Sequence, residues 1–205
     1  MGSRASWKAA FVQQAWDSFR SGVTLVGVPT AYCRETCDQT AQRLGIGRFP
    51  PSYCEYVKLF GYGEWSEDLF ICAPCDPSLV GSVEELANDL RSVFAECWAS
   101  YEGTKEPERM GRFIHFATTT MSFSFAWDPM TRRADGEMGI YLVDFPDTLE
   151  YCCHDLLTFL RDFWVGGKIN DVYLFYGGVK WKTGPVFTVQ RPQLPVYRRK
   201  GNGPR

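Results

Sequence analysis

Histidine is scarce in this chain of 205 residues, which has only His115 and His154. No histidine pair stands at metal-ligand spacing, so a zinc-hydrolase type of site lacks its parts. His154 follows Cys152 and Cys153 directly. Neighbours on a helix diverge by about 100°, which keeps a thiol and an imidazole there from converging as nucleophile and base. Both histidines read as ordinary surface side chains, His115 within a strand and His154 facing solvent. Long apolar runs are also missing: none reaches the roughly 18 residues of a membrane-spanning helix. The opening MGSRASWKAA has no apolar signal core, from which a cytoplasmic protein is expected. Gly45-x-Gly47 and Gly61-x-Gly63 do not extend to G-x-G-x-x-G, no Walker-type lysine follows them, and G-x-S-x-G does not occur. These glycines read as turns.

Cysteine, by contrast, is plentiful at eight. Disulfide scaffolds are short secreted chains, and this chain is longer and shows no export signal, so the thiols are expected reduced. Cys72-Ala-Pro-Cys75 is a C-x-x-C, but a structural zinc site needs four ligands. Cys33 and Cys37 could complete it only by leaving a helix face that calls for burial. The βαβ setting of a thioredoxin-like motif is missing as well. Cys33, Cys37, Cys152 and Cys153 read as small core residues. Asp144 and Asp147 form a carboxylate pair on paper, but helix capping accounts for Asp147. No metal, cofactor or catalytic residue is assigned, and a non-enzymatic protein is expected.

A composition of 45% hydrophobic and 22% charged residues fits a soluble globular domain. The net charge of -2 hides a split. All 24 acids and 17 of the 22 basic residues precede Arg191, leaving residues 1–190 at -7 and the last fifteen at +5. Those fifteen contain Pro192, Pro195 and Pro204 and read as a flexible basic tail. Between Glu64 and Glu108 eleven acids oppose only Arg91 and Lys105, a net -9. An acidic body opposes phosphate, so no nucleic acid is expected as partner.

Periodicity supplies the elements. Trp7, Phe11, Ala15 and Phe19 share one helical face, and a short apolar piece at Val23–Val28 leads to a second helix carrying Cys33, Cys37, Ala41 and Leu44. Pro50 or Pro51 suits the first position of a third helix, whose buried side is Tyr53, Tyr56, Val57 and Phe60 and whose end is Gly61. Ser82 and Glu85 form a capping box before a long helix with Leu86, Leu90, Phe94 and Trp98 on one side. Arg112–Thr118, Ser122–Trp127 and Gly139–Val143 alternate as antiparallel strands. Asp147 and Glu150 suggest another capping box, opening a helix through Leu149, Cys152, Leu156 and Phe163 to Gly166. Further strands are expected at Val172–Tyr176 and Val186–Val189.

In that order, Leu44-Gly45, Phe49-Pro50-Pro51-Ser52-Tyr53 and Phe60-Gly61-Tyr62-Gly63 resemble the signature of the SUKH superfamily, the Smi/Knr-like domains. The resemblance covers roughly Thr30 to Trp164. It extends to Phe125 with Trp127-Asp128 and to the strand Ile140–Val143, and departs where Gly61-Tyr62-Gly63 replaces the usual Asn-Gly-Gly. It implies an α+β fold, a central mostly antiparallel sheet flanked by helices, divided as an N-terminal helix and lead-in (1–29), a core domain (30–165), extra strands (166–190) and the tail (191–205). It also implies an intracellular immunity protein that binds and neutralises a cognate polymorphic toxin, a nuclease or other basic domain. A non-enzymatic adaptor or viral host-interaction protein on the same fold is the alternative. The charge places the partner-binding surface at Tyr62 and Trp65, ringed by Glu64, Glu67, Asp68, Glu84, Glu85 and Asp89, with no membrane contact. Acids on exposed helix faces are ordinary, and alternation along a strand would equally bury Trp65.

Overall fold

The computed structural model describes residues 4–99, 107–144, 148–169 and 185–193, with the side chains of residues 4–11, 95, 97–99 and 107 outside that description. The expected strand at Val172–Tyr176, the cap at Asp147 and most of the basic tail lie outside the described residues.

Helix α1 (Arg4–Ser21) is followed by strand β1 (Thr24–Val26), helices α2 (Arg34–Arg43) and α3 (Pro51–Leu59), and strands β2 (Gly63–Trp65) and β3 (Leu69–Ile71). Then come α4 (Val83–Ala99), the short α5 (Pro107–Met110), and β4 (Ile114–Thr119), β5 (Ser124–Asp128), β6 (Gly139–Asp144) and β7 (Thr148–Cys153). One turn of helix, α6 (Leu156–Thr158), passes into a π-helical turn at Phe159–Trp164, and β8 (Val186–Val189) comes last. The strands form one sheet in the order β1-β8-β2-β3-β4-β5-β6-β7. Among the described strands every pairing is antiparallel except β1 with β8. This is an α+β fold with a mostly antiparallel sheet. β1 and β8 put the lead-in and the segment after residue 165 into the same sheet as the core strands.

Period-two alternation assigns the two faces. Phe125 and Trp127 of β5, with Ile140 and Leu142 of β6, join the larger core with Trp16, Tyr53, Tyr56, Phe60, Phe159 and Trp164. Ala126, Tyr141 and Val143 point the other way, into a smaller core with Phe94, Met110 and Phe113. Helices α1, α3 and α6 therefore lie on one side, and the middle of α4 with α5 on the other. Among the α1 residues whose side chains are described, the buried one is Trp16, one position on from the expected Ala15, which is half-buried.

The third helix forms as its residues dictate. Proline opens it, Ser52, Tyr53, Tyr56 and Val57 are buried, and Gly61 follows with φ +70°. A Cβ there would meet the Thr30 carbonyl oxygen at 2.3 Å, so both conformation and space require glycine.

Four expectations need correction. Thr148–Cys153 is a strand, not the first half of a helix, pairing Val143 with Leu149 and Tyr141 with Tyr151. Leu149, Tyr151 and Cys153 satisfy a period of two as readily as Leu149, Cys152 and Leu156 satisfy a helical one, and the open edge of β6 decides between them. The helix cap is Asp155, whose Oδ1 accepts the Thr158 N–H at 2.8 Å. At Ser82 only half of the capping box exists. Its Oγ accepts from Glu84 N–H at 3.2 Å and Glu85 N–H at 3.4 Å, but its own N–H donates to the Leu79 carbonyl. Cys33 is exposed, because it precedes α2 instead of lying on its buried face. His115 is fully buried, with Nδ1 at 2.9 Å from Ser124 Oγ and the ring stacked on Phe94. Burial holds its imidazole far below the usual range, at about 3, and therefore neutral.

Candidate functional site

The predicted partner-binding residues divide among four places. Trp65 lies in the core, 0% exposed, its Nε1–H donating to the Tyr56 phenol oxygen Oη at 3.2 Å and its ring against Phe60 and Phe187. It cannot anchor a partner. Alternation along β2 sends it inward and leaves Glu64 on the opposite face.

Glu67 and Asp68 sit at the far end of β2, in the tight turn to β3. Ser66 and Glu67 both have positive φ, 52° and 64°, and Asp68 N–H closes the turn on the Trp65 carbonyl at 3.2 Å. Hairpin turns of this sort favour Asn-Gly, and this one holds two ordinary residues in the left-handed region. Asp68 fixes the neighbouring β4–β5 turn, where its Oδ1 accepts the Thr120 N–H at 3.1 Å and the Thr120 hydroxyl. Asp68 is therefore a structural clamp, and Glu67 is exposed beside it. Glu84 is drawn off in another direction, receiving Arg43 Nε–H at 2.7 Å with only 12% of its side chain exposed.

The remaining four, Tyr62, Glu64, Glu85 and Asp89, come together. Tyr62 neighbours both Glu64 and Glu85 electrostatically, and Glu85 in turn neighbours Asp89. Partial burial raises the Glu85 carboxyl, with Asp89 adding to the shift, and burial raises the Tyr62 phenol to about 12. Tyr62 is held by Gly81, where a Cβ would lie 2.6 Å from the Tyr62 ring. Gln190 approaches from β8 and donates from Nε2 to Glu64 Oε2 at 3.3 Å.

The register of the sheet extends this site. Val26, Thr188, Glu64, Phe70 and Thr118 are successive cross-strand partners on β1, β8, β2, β3 and β4. None of the five is buried. The next two in the row, Ser124 and Val143, are buried with the smaller core under α4. Helix α4 thus covers one half of this sheet face and leaves the half holding Glu64 partly open. Val26, 49% exposed, and Phe70 give it apolar area that the sequence did not single out. The signal was present only as pairing register, which single-strand patterns do not contain.

Elsewhere, a cavity of about 580 Å³ lies between α1 and the π-helical turn, lined by Phe19, Leu157, Val165 and Arg161. It holds none of the predicted residues, and Arg161 is paired with Asp162 at 2.6 Å. Cys72 is buried and Cys75 half-buried, both raised by burial, and among the described residues no group of three or more His, Cys, Asp or Glu could hold a metal ion. Among them, too, no helix is long and apolar enough to cross a membrane. Comparison with family models, with curated proteins and with solved structures finds no match for the chain.

Proposed function

We propose that this protein is a cytoplasmic, non-enzymatic binding protein of SUKH type, which neutralises a basic toxin domain by covering it. The observation that carries the reading is the gathering of Tyr62, Glu64, Glu85 and Asp89 beside the open half of the sheet face. A nuclease domain must be positively charged to hold phosphate, and an opposed field both speeds its capture and disfavours uncharged competitors. Tyr62 supplies stiff aromatic area, and Phe70 with Val26 supplies apolar area next to the acids, the mixture from which interface centres are built.

The test is recovery of the partner from the source cells on immobilised protein. Wild type should retain a basic protein at low salt, and the triple variant Glu64→Lys, Glu85→Lys, Asp89→Lys should not. Expressed alone, that partner should arrest growth, and co-expression of wild type should restore it. A partner that the triple variant holds equally well, or one without toxicity, contradicts the reading.

A further inference from the structure

Past β8 the chain runs along the rim of the open half of the sheet face. Gln190 N–H donates to the Tyr62 carbonyl at 3.1 Å, and the Gln190 side chain reaches Glu64 Oε2 at 3.3 Å. Three residues on, Gln193 pairs with Val80 in antiparallel fashion: Val80 N–H donates to the Gln193 carbonyl at 2.8 Å, and Gln193 N–H to the Val80 carbonyl at 3.4 Å. Val80 is 42% exposed and stands directly before Gly81, against which the Tyr62 ring lies, and Ser82, which caps α4. The chain thus crosses from the end of β8 to the start of α4 beside the surface assigned to the partner, with its own Gln190 bonded to one of the acids there.

Twelve residues follow Gln193, LPVYRRKGNGPR. Arg198, Arg199, Lys200 and Arg205 give them a charge of +4 with no acid, and Leu194, Val196 and Tyr197 come ahead of the basic run. The open half-face offers the complement of both parts. Phe70 and the 49% exposed Val26 are apolar, and Glu64, with Glu85 and Asp89 on α4, is acidic. Among the described residues no Lys, Arg or His forms an ion pair with these three carboxylates.

We propose that residues 194–205 fold back onto the open half of the sheet face and fill it in the free protein, so that a basic partner binds only by displacing them. The inference rests on the reading of this face as a docking surface, and not on what the partner does. Antiparallel pairing with Val80 sends the chain off toward Leu79, and Leu194-Pro195 suits the first two positions of a turn that brings it back. The five residues from Gln193 to Arg198 extend to at most about 17 Å. Glu85 and Asp89 lie within the first two turns of α4, about 11 Å of helix, so the basic run reaches both. A tethered segment acts at an effective concentration on the order of 1 mM. An intrinsic affinity of about 0.1 mM then keeps the face roughly nine-tenths filled and weakens a competitor about tenfold. Weakly basic proteins are held off, and a partner with a stronger or better-shaped field is admitted.

The experiment uses the full chain and a zero-length carbodiimide, which joins an amine to a carboxylate where the two touch. Lys200 is the one amine beyond Gln193. Equal parts of unlabelled and nitrogen-15-labelled protein are mixed, treated, digested with trypsin and mapped by mass spectrometry. The expected product joins the Lys200 peptide to peptide 59–91, with fragmentation placing the link on Glu64, Glu85 or Asp89 and both halves carrying the same isotope. Its yield should fall at least about threefold between about 20 mM and 300 mM salt. In a second arm a fluorescent octalysine peptide stands in for a basic partner. Protein with Arg198→Gln, Arg199→Gln, Lys200→Gln should bind it about tenfold more tightly than wild type. Absence of the Lys200 link, its transfer to acids elsewhere in the chain, halves of mixed isotope, or equal octalysine binding by variant and wild type would each overturn the proposal. Octalysine held equally by those two but lost from Glu64→Lys, Glu85→Lys, Asp89→Lys would remove the tail from the face and leave the face as a docking surface.

Discussion

Glu137 caps α3 from a loop 85 residues away: its Oε1 accepts the Ser52 N–H at 2.8 Å, and its Oε2 accepts the Ser52 hydroxyl at 2.7 Å. Ser52 Oγ in turn accepts the Leu156 N–H at 2.9 Å. One carboxylate thus joins the start of α3, the start of α6 and the β5–β6 loop. The cap that sequence reasoning seeks next to the helix is supplied from another element.

Burial raises the Glu137 carboxyl to about 7, against the opposing effect of its bonds to Ser52, with Asp155 and Asp135 adding to the rise. A carboxyl whose folded pKa is raised binds more protons folded than unfolded. Its contribution to stability is present below its ordinary value of 4.5 and is lost as pH climbs through about 7. Glu137→Gln removes that loss. Denaturant unfolding from pH 5 to 8 should show wild type losing on the order of 2 kcal/mol relative to the variant. Parallel pH profiles would show that Glu137 is ionised throughout.

Asp128 ends β5 and ties it to α5 and the turn that follows. Its carboxylate is 1% exposed and receives Arg109 Nε–H at 3.0 Å and Arg112 Nε–H at 3.1 Å, while the Arg109 guanidinium lies 4.7 Å from the Tyr141 ring centre. Asp128→Ala leaves two cations around an apolar gap and should cost about 3–5 kcal/mol by chemical denaturation. Arg112→Ala keeps Arg109 in place and should cost about 1–2 kcal/mol.

Tyr53, Phe60 and Trp65 are each fully buried, and the Tyr53 hydroxyl donates to the Cys72 carbonyl at 2.8 Å. Replacement of any of them by alanine should cost about 3–5 kcal/mol. Tyr53→Phe isolates the hydrogen bond and should cost about 1–2 kcal/mol, since it leaves the Cys72 carbonyl without that donor. Unchanged melting for Trp65→Ala would place it back on the surface.

The short-range parts of this fold are legible in the sequence because the local signals agree: Pro50-Pro51 with a buried Tyr53-Tyr56-Val57 stripe, alternation along β5 and β6, and the end of α3 at Gly61. Thr148–Cys153 misleads because its apolar spacing suits two periods and only β6 selects one. At the candidate site the acidic bias of Glu64–Glu108 marks a stretch of chain, but it cannot separate Glu64 and Glu85 from Glu84, which Arg43 takes up, or from Asp68, which clamps Thr120. Those assignments depend on partners distant in the chain.

The central claim is electrostatic capture by the open half of the sheet face, and it is tested most directly by association kinetics. The partner recovered on wild type is mixed in stopped flow with wild type, with Glu64→Lys, Glu85→Lys, Asp89→Lys, and with Glu67→Lys from the far end of β2, at about 20 mM and 300 mM salt, where the screening length falls from roughly 20 Å to about 6 Å. The triple variant should associate at least about tenfold more slowly at low salt and lose most of its salt dependence, while Glu67→Lys stays close to wild type. Equal rates for wild type and the triple variant at both salt concentrations would contradict the account.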